Sequence, residues 1–206
     1  MPSLDEEKRL RRAQIRALRP STGVMAEESR RLCGHLLASD LYRHAVSVAA
    51  YWPLAGEADV GPLLRDVLAS GRHLALPLTA RDLSLSFLEV ADLSCLVPDA
   101  WGIPAPDPAR CPPFPMDGIS LILVPLLAVD QRGCRLGKGG GCYDRYFAAH
   151  PALLQRAAGA ALGYQLADRL PAGGHDCRLP RIATPDGLIC LNTSMEASSI
   201  VSATNR

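Results

Sequence analysis

Short aliphatic runs alternate with amphipathic stretches along most of the chain. Three runs, at residues 45–51, 73–78 and 119–124, are nearly all apolar. Each is short and contains or adjoins proline, glycine or polar residues, and these features favour buried strands over helices. Between the first two runs, residues 59–70 place apolar side chains at helical spacing. This succession of strand, helix and strand predicts a right-handed crossover between two parallel strands.

The rest of the pattern extends the same architecture. Helical spacing recurs at residues 4–18, 24–39 and 143–150, and short runs that predict strands recur at 83–90, 156–164 and 187–192. The predicted fold class is α/β, a mostly parallel sheet flanked by helices in a Rossmann-like three-layer arrangement, formed as a single domain by residues 1–192. The proline-rich segment 98–115 and the segment 168–185 are predicted as loops, and the polar residues 193–206 as a disordered tail.

Composition narrows the class of protein. A chain of 206 residues with 48% hydrophobic content can bury the core of one domain, and a formal net charge of +1 argues against a nucleic-acid binder. Seven cysteines without a CxxC pair are typical of reduced thiols in a cytosolic protein. The N-terminus has no apolar core of signal-peptide length, and no apolar run is long enough to span a membrane. We therefore expect a cytoplasmic protein without nucleic-acid or membrane partners.

Candidate chemistry is densest in a glycine-rich loop at residues 130–141, between the aliphatic run 119–124 and a predicted helix. Glycines let the backbone approach an anion, and the N-terminus of a helix attracts negative charge. Arg135 and Lys138 add positive charge inside the loop, and Asp144 lies in the first helical turn, where a carboxylate could hold Mg²⁺ beside a phosphate. The loop therefore predicts a phosphate cradle, with an ordinary flexible turn as the alternative.

Two familiar phosphate motifs are absent from this loop. The dinucleotide fingerprint GxGxxG would need glycine where Cys142 stands. The pattern GxxxxGK[ST] fails because Lys138 is followed by Gly139 and because Arg132 occupies the place of the first glycine. The loop therefore belongs to neither of these two nucleotide-binding classes.

Further candidates lie outside the glycine-rich loop. Lys8 and Arg12 are four residues apart on one helix face, which suits either an anion-binding edge or a solvated basic helix. Trp52 and Glu57 follow a strand end, where ligands bind in open α/β sheets, although a packed tryptophan and a surface glutamate are the alternatives. Asp176 follows a Gly-Gly pair and is either a turn residue or a metal ligand.

Residues 135–147, RLGKGGGCYDRYF, resemble the R-L-G-[RK]-G-x-G-Y-Y-D signature of the 5-formyltetrahydrofolate cyclo-ligase family. Val124, Pro125 and Asp130 match the V-P-x-x-x-x-D strand end that precedes this signature. Cys142 stands where the signature has its first tyrosine, which puts one ring contact in doubt. Two further segments resemble the family's Y-x-P-x-x-x-E-x-D and P-x-x-x-H-D patterns, namely residues 51–59 and residues 171–176.

The resemblance implies an ATP-dependent enzyme that converts 5-formyltetrahydrofolate to 5,10-methenyltetrahydrofolate, ADP and phosphate through a phosphorylated formyl intermediate. It implies Mg²⁺ as cofactor, held by Asp144 and Asp176, and a monomer that binds only small molecules. The implied catalytic residues are Arg135 and Lys138, and the implied folate contacts are Trp52, Glu57 and Tyr143. The implied ATP contacts are Lys8, Arg12, Arg135, Gly137, Lys138, Gly139, Gly140, Gly141, Cys142 and Tyr143, with Arg11 as an alternative to Arg12.

Two other classes of protein stay open from the residues alone. A sugar-phosphate isomerase or a related α/β enzyme would bind phosphate in a similar loop, but it would need an acid/base pair that the sequence does not point to. A non-catalytic nucleotide- or folate-binding module could share the same fold. Such a module would be favoured by loss of Asp144 or Lys138, and both residues are present.

Overall fold

The computed structural model describes residues 2–191, so the predicted tail at 193–206 lies outside the described residues. The α-helices are α1 (Leu4–Ala17), α2 (Thr22–Ala38), α3 (Asp40–Arg43), α4 (Gly61–Ala69), α5 (Cys142–Ala149) and α6 (Pro151–Leu154). The first six strands are β1 (Ser47–Ala49), β2 (His73–Thr79), β3 (Leu85–Glu89), β4 (Leu96–Pro98), β5 (Pro104–Pro106) and β6 (Leu121–Val124). The others are β7 (Ala128–Asp130), β8 (Arg135–Leu136), β9 (Ala157–Ala160), β10 (Leu166–Ala167), β11 (Arg181–Thr184) and β12 (Gly187–Cys190).

A seven-stranded sheet with the order β12-β11-β9-β6-β1-β2-β3 forms the centre of the fold. Its five inner strands run parallel, and the edge strands β3 and β12 pair antiparallel with β2 and β11. The pairing of β1 with β2 confirms that these two strands are parallel, as predicted. The mostly parallel sheet also confirms the predicted α/β class.

Alternate residues of the inner strands face opposite sides of the sheet. Val48 and Leu121 pack in a core with α2 and α4, whereas Ala49 and Ile122 pack in a second core with α5 and α6. Burial on both faces explains why these strands are nearly continuous hydrophobic runs. The two cores give the three layers that the sequence predicted.

Three predicted loops contain regular structure. The glycine-rich loop begins with an antiparallel hairpin of β7 and β8, and its residues 137–141 follow this hairpin and lead into α5. The segment 168–185 contains β11, which pairs with β9 and β12. Strand β11 has four residues, too few for its alternation to stand out between flanking prolines. In the segment 98–115, β5 pairs with β4 in a small separate sheet.

The chain order of the strands creates a crevice. From β1 the chain first adds β2 on one side and later β6 on the other. The loops that leave the carboxyl ends of β1 and β6 therefore diverge, and in open α/β sheets ligands bind at such a switch point. No helix between residues 2 and 191 is long and apolar enough to cross a membrane.

Candidate active site

A cleft of about 480 Å³ opens at the carboxyl ends of β1 and β6. Its walls come from α1, the loop after β1, the turn between β2 and β3, the β4–β5 hairpin and the glycine-rich loop. Every site residue predicted from the sequence lines this cleft: Lys8, Arg12, Trp52, Glu57, Arg135, Gly137, Lys138, Gly139, Gly140, Gly141, Cys142, Tyr143, Asp144 and Asp176. Arg11 is absent from the lining, and its Nη1 donates to Gln14 Oε1 at 3.1 Å on the exposed side of α1.

The glycine-rich loop follows β8 and leads into α5. Gly139 and Gly141 have φ angles of +116° and +66°, a region that side chains rarely adopt, so glycine is required for this path. Arg12 Nε donates to the carbonyl oxygen of Gly137 at 2.8 Å, which attaches α1 to the loop. Gly141 caps α5, so the first turn of the helix directs its free N–H groups toward this loop.

Arg145 holds the loop from the other side. Its Nη2 donates to the carbonyl oxygen of Gly140 at 2.9 Å and to that of Leu83 at 3.0 Å. Leu83 lies in the turn between β2 and β3 and has a φ of +65°, which is costly for a leucine. Arg145 therefore joins the glycine-rich loop to a strained turn on the facing wall. No local sequence pattern signals this role, because it depends on a contact between residues 62 positions apart.

Three ion pairs lie in the lining of the cleft. Lys138 Nζ lies 2.9 Å from Glu57 Oε1, which joins the glycine-rich loop to the loop after β1. The Glu57 side chain is 5% exposed, and its other carboxylate oxygen accepts from the backbone N–H of Leu54 at 2.9 Å. The Lys138 side chain is 45% exposed, so it is accessible from solvent. Glu57 therefore provides a buried carboxylate and Lys138 a partly exposed cation.

The other two pairs involve the predicted metal ligands. Arg135 Nη2 donates to Asp144 Oδ2 at 2.9 Å, and its guanidinium lies 5.5 Å from the centre of the Tyr143 ring. Lys8 Nζ lies 2.7 and 2.6 Å from the two carboxylate oxygens of Asp176. Burial raises the pKa of Asp176, but the hydrogen bonds from Lys8 and Gly173 outweigh this effect and leave the pKa below its ordinary value. Asp176 is therefore ionised at neutral pH.

The residues present fit a magnesium ion shared with phosphate. Asp144 and Asp176 supply hard oxygen ligands in one cleft, and Asp144 Oδ1 accepts a long contact of 3.4 Å from the N–H of Cys177. Between residues 2 and 191, no group of three or more His, Cys, Asp or Glu side chains is arranged to hold a metal alone. Because Mg²⁺ is often bound by one or two carboxylates together with substrate phosphates, this donor set suits it.

The buried hydroxyl group of Tyr143 indicates a contact with a ligand. Its oxygen is buried and has no hydrogen-bond partner among residues 2–191, although the residue lines the cleft. Burial raises the pKa of Tyr143 well above its ordinary value, so the phenol stays protonated and can donate. A buried hydroxyl without a partner is costly, and a ligand acceptor would remove that cost.

The two lysines of the sequence, Lys8 and Lys138, both line the cleft. The other 20 of its 22 basic residues are arginines. Lysine carries a compact charge on a flexible chain, whereas arginine presents a broad planar fork. Both lysines of the sequence therefore lie in the cleft. Their flexible chains let the charge follow a bound group that moves during a reaction.

The fold and the cleft together define an α/β protein that gathers cations, glycine backbone and carboxylates at a topological switch point. Residues 4–185 match the model of the 5-formyltetrahydrofolate cyclo-ligase family, and the chain belongs to this family.

Individual relatives agree with this assignment. The chain is 32% identical over 151 residues to the 5-formyltetrahydrofolate cyclo-ligase of Mycolicibacterium smegmatis, covering 70% of this chain and 77% of that protein. It is also 32% identical over 143 residues to the enzyme of the same name from Escherichia coli K12, covering 68% and 79%. The solution structure of Aquifex aeolicus 5,10-methenyltetrahydrofolate synthetase superposes with a TM-score of 0.76 at 27% identity, covering 95% of this chain and 99% of that one.

Proposed function

We propose that this chain catalyses the ATP-dependent cyclisation of 5-formyltetrahydrofolate to 5,10-methenyltetrahydrofolate, with release of ADP and phosphate. Membership of the cyclo-ligase family supports this activity. The observation that carries the proposal is the 2.9 Å contact between Lys138 and Glu57. It brings a cation of the phosphate loop and a carboxylate suited to a pterin within one cleft, as a reaction between a nucleotide and a folate requires.

The chemistry requires activation of the formyl group. The formyl oxygen is a poor leaving group, and N10 is a weak nucleophile toward an amide-like carbon. Attack of the formyl oxygen on the γ-phosphorus breaks the bond to ADP and gives an imidate-like phosphate. N10 then attacks the activated carbon and loses its proton, and the C–O bond breaks to release phosphate with the former formyl oxygen.

The protein's task in this reaction is positioning and charge stabilisation. In the proposed arrangement Arg135, Lys138 and the backbone of residues 137–141 bind the transferred phosphate, whose charge is spread over its oxygens during transfer. Lys8 and Arg12 bind the rest of the nucleotide from α1. Holding two substrates in line supplies a large part of the rate enhancement, so the proposal includes no nucleophilic side chain.

The folate side of the cleft contains Glu57, Trp52 and Tyr143. A carboxylate accepts two parallel N–H bonds, which matches the donor edge of a pterin ring. Trp52 offers a large apolar face, and the Tyr143 hydroxyl can donate to a substrate oxygen. Because Glu57 also faces Lys138, a bound pterin would compete for its carboxylate and release the ammonium group toward phosphate.

Asp144 and Asp176 would hold Mg²⁺ together with phosphate oxygens. The ion would supply positive charge that offsets the charge of the polyphosphate. The predicted cytoplasmic location and monomeric state remain predictions of the sequence.

A pair of charge-removing variants tests the proposed site. Lys138→Ala should lower kcat/KM for ATP-dependent methenyl formation by about 100-fold or more, since it removes a cation that acts on the transferred phosphate. Arg16→Ala is the matched control, because this exposed residue of α1 lies outside the cleft lining, and it should stay within about twofold of wild type. The near-ultraviolet absorbance of the methenyl product measures both. Equal activity of Lys138→Ala and Arg16→Ala would refute the role of Lys138.

A further inference from the structure

Gln165 is a buried polar residue that none of the roles above uses. It has no solvent exposure and ends the short helical turn Gly163–Gln165 after β9. Its Nε2 donates to the carbonyl oxygens of Leu126 at 2.8 Å and Gly56 at 3.2 Å, and its Oε1 accepts from the N–H of Leu162 at 2.8 Å. Both N–H donors and the carbonyl acceptor of the amide are therefore occupied by backbone groups.

The three backbone partners of Gln165 belong to three different loops. Gly56 lies in the loop after β1, Leu126 directly after β6, and Leu162 after β9. These strands are neighbours in the sheet and run parallel, so the loops leave the same edge. Leu126 and Glu57, the residue after Gly56, both line the cleft. One buried amide thus connects the loops on both sides of the switch point.

The peptide bond between Gly56 and Glu57 is held at both ends. The carbonyl oxygen of Gly56 accepts from the Tyr164 hydroxyl at 2.6 Å as well as from Gln165. The N–H of Glu57 donates to the carbonyl oxygen of Leu54 at 2.9 Å. With the plane of this peptide fixed, the backbone of Glu57 and the direction of its side chain are restricted. Gly56 itself has a φ of +89°, which this path requires.

We propose that Gln165 and Tyr164 are positioning residues that orient Glu57 toward the folate, a role that rests on the function proposed above. They act through the Gly56 carbonyl oxygen and touch neither substrate. Loss of their hydrogen bonds lets the Gly56–Glu57 peptide rotate. The Glu57 carboxylate then spends less time in the orientation that binds the pterin. The affinity for folate falls, while the cations that bind ATP stay in place.

Two variants test this role by their effects on the two substrates. Gln165→Met keeps the size of the side chain and removes three hydrogen bonds, and we expect the KM for 5-formyltetrahydrofolate to rise about tenfold. Tyr164→Phe removes one of the two hydrogen bonds to the Gly56 carbonyl oxygen, together with the hydroxyl's contact with Arg19, and should raise that KM about threefold. The KM for ATP should change by less than about twofold in both variants. Gln155→Met makes the same chemical change at an exposed glutamine and should leave both constants unchanged.

Hydrogen exchange of the Glu57 amide gives a second readout that needs no turnover. This amide should exchange faster in Gln165→Met and Tyr164→Phe than in wild type and Gln155→Met. Equal rises in both KM values, or loss of thermal stability with unchanged KM values and exchange, would overturn the positioning role. A wild-type protein without turnover would overturn the proposed function instead, and the exchange rates would still decide whether the peptide is held. If Gln165→Met does not fold, Tyr164→Phe carries the test.

Discussion

Replacing Asp130 by asparagine should destabilise the hairpin that begins the glycine-rich loop. The Asp130 side chain is fully buried and accepts five hydrogen bonds. Oδ1 accepts from the backbone N–H groups of Arg132 at 2.9 Å and Cys134 at 3.0 Å. Oδ2 accepts from Arg132 Nε at 3.1 Å, Arg132 Nη2 at 2.7 Å and the N–H of Leu170 at 3.0 Å. The carboxylate thus closes the turn between β7 and β8 and attaches it to the segment after β10.

The size of the effect follows from these contacts. Asparagine keeps one oxygen, so its amide NH₂ group faces the donors of two or three of the five bonds. Removing one partner of a buried, hydrogen-bonded ion pair costs about 3–5 kcal/mol. Because the Arg132 side chain is 30% exposed and can be solvated, we expect the lower end, about 3 kcal/mol. For a chain of this length that loss lowers Tm by roughly 6–12 °C.

The pH dependence of stability gives the sign of the charge effect. Burial raises the pKa of Asp130, but the Arg132 side chain and the backbone N–H groups outweigh it, so the folded pKa lies below the ordinary value. The stabilisation is therefore fully present above the unfolded pKa of about 3.9 and is lost as pH falls through the folded pKa. The difference in stability between wild type and Asp130→Asn should be constant above about pH 5 and shrink below about pH 4.

Urea unfolding followed by circular dichroism measures both effects. The matched control is Asp117→Asn, which changes an exposed aspartate and should alter the free energy of unfolding by less than about 0.5 kcal/mol. A loss below about 1 kcal/mol for Asp130→Asn, or a difference from wild type that does not depend on pH, would refute the reasoning.

Two further changes test the backbone of the site. Gly133→Ala should cost about 3 kcal/mol or more in urea unfolding, because its φ is +75° and a Cβ would meet the carbonyl oxygen of Leu179 at 2.2 Å. Gly71→Ala, with a similar φ of +71° and open space, should cost only about 1 kcal/mol, and equal losses would contradict the steric account. Arg145→Lys should raise the KM for ATP several-fold in the methenyl assay, since the shorter lysine side chain would not place a nitrogen where Arg145 Nη2 binds the carbonyl oxygens of both Gly140 and Leu83. A rise in the KM for folate alone would contradict this.

The sequence predicted most of the central sheet because its inner strands are buried on both faces and stand out as aliphatic runs. It also led to the cyclo-ligase family, which the family model confirms. The predicted site residues are distant in sequence, yet all of them line one cleft. That prediction came from the family resemblance and from the rule that ligands bind at the carboxyl ends of parallel strands. The assigned roles of these residues remain predictions.

Other features depend on tertiary contacts that leave no local pattern. The ion pair between Lys8 and Asp176 joins residues 168 positions apart, and no spacing rule connects them. Gln165 is a polar residue in a segment whose sequence is typical of a loop. Its burial is explained by three backbone groups that bind its amide, and these groups come together only in the fold. Asp130 matched the aspartate at the strand end of the family pattern. Its five hydrogen bonds show that its side chain closes the β7–β8 hairpin.

The most direct test of the proposed reaction follows the formyl oxygen. 5-Formyltetrahydrofolate labelled with ¹⁸O in its formyl group is incubated with the protein and MgATP, and the inorganic phosphate is examined by mass spectrometry. Attack of the formyl oxygen on the γ-phosphorus predicts one ¹⁸O atom in each phosphate released, together with one methenyl product for each ADP. Unlabelled phosphate, or methenyl product formed equally well without ATP, would contradict the proposed mechanism.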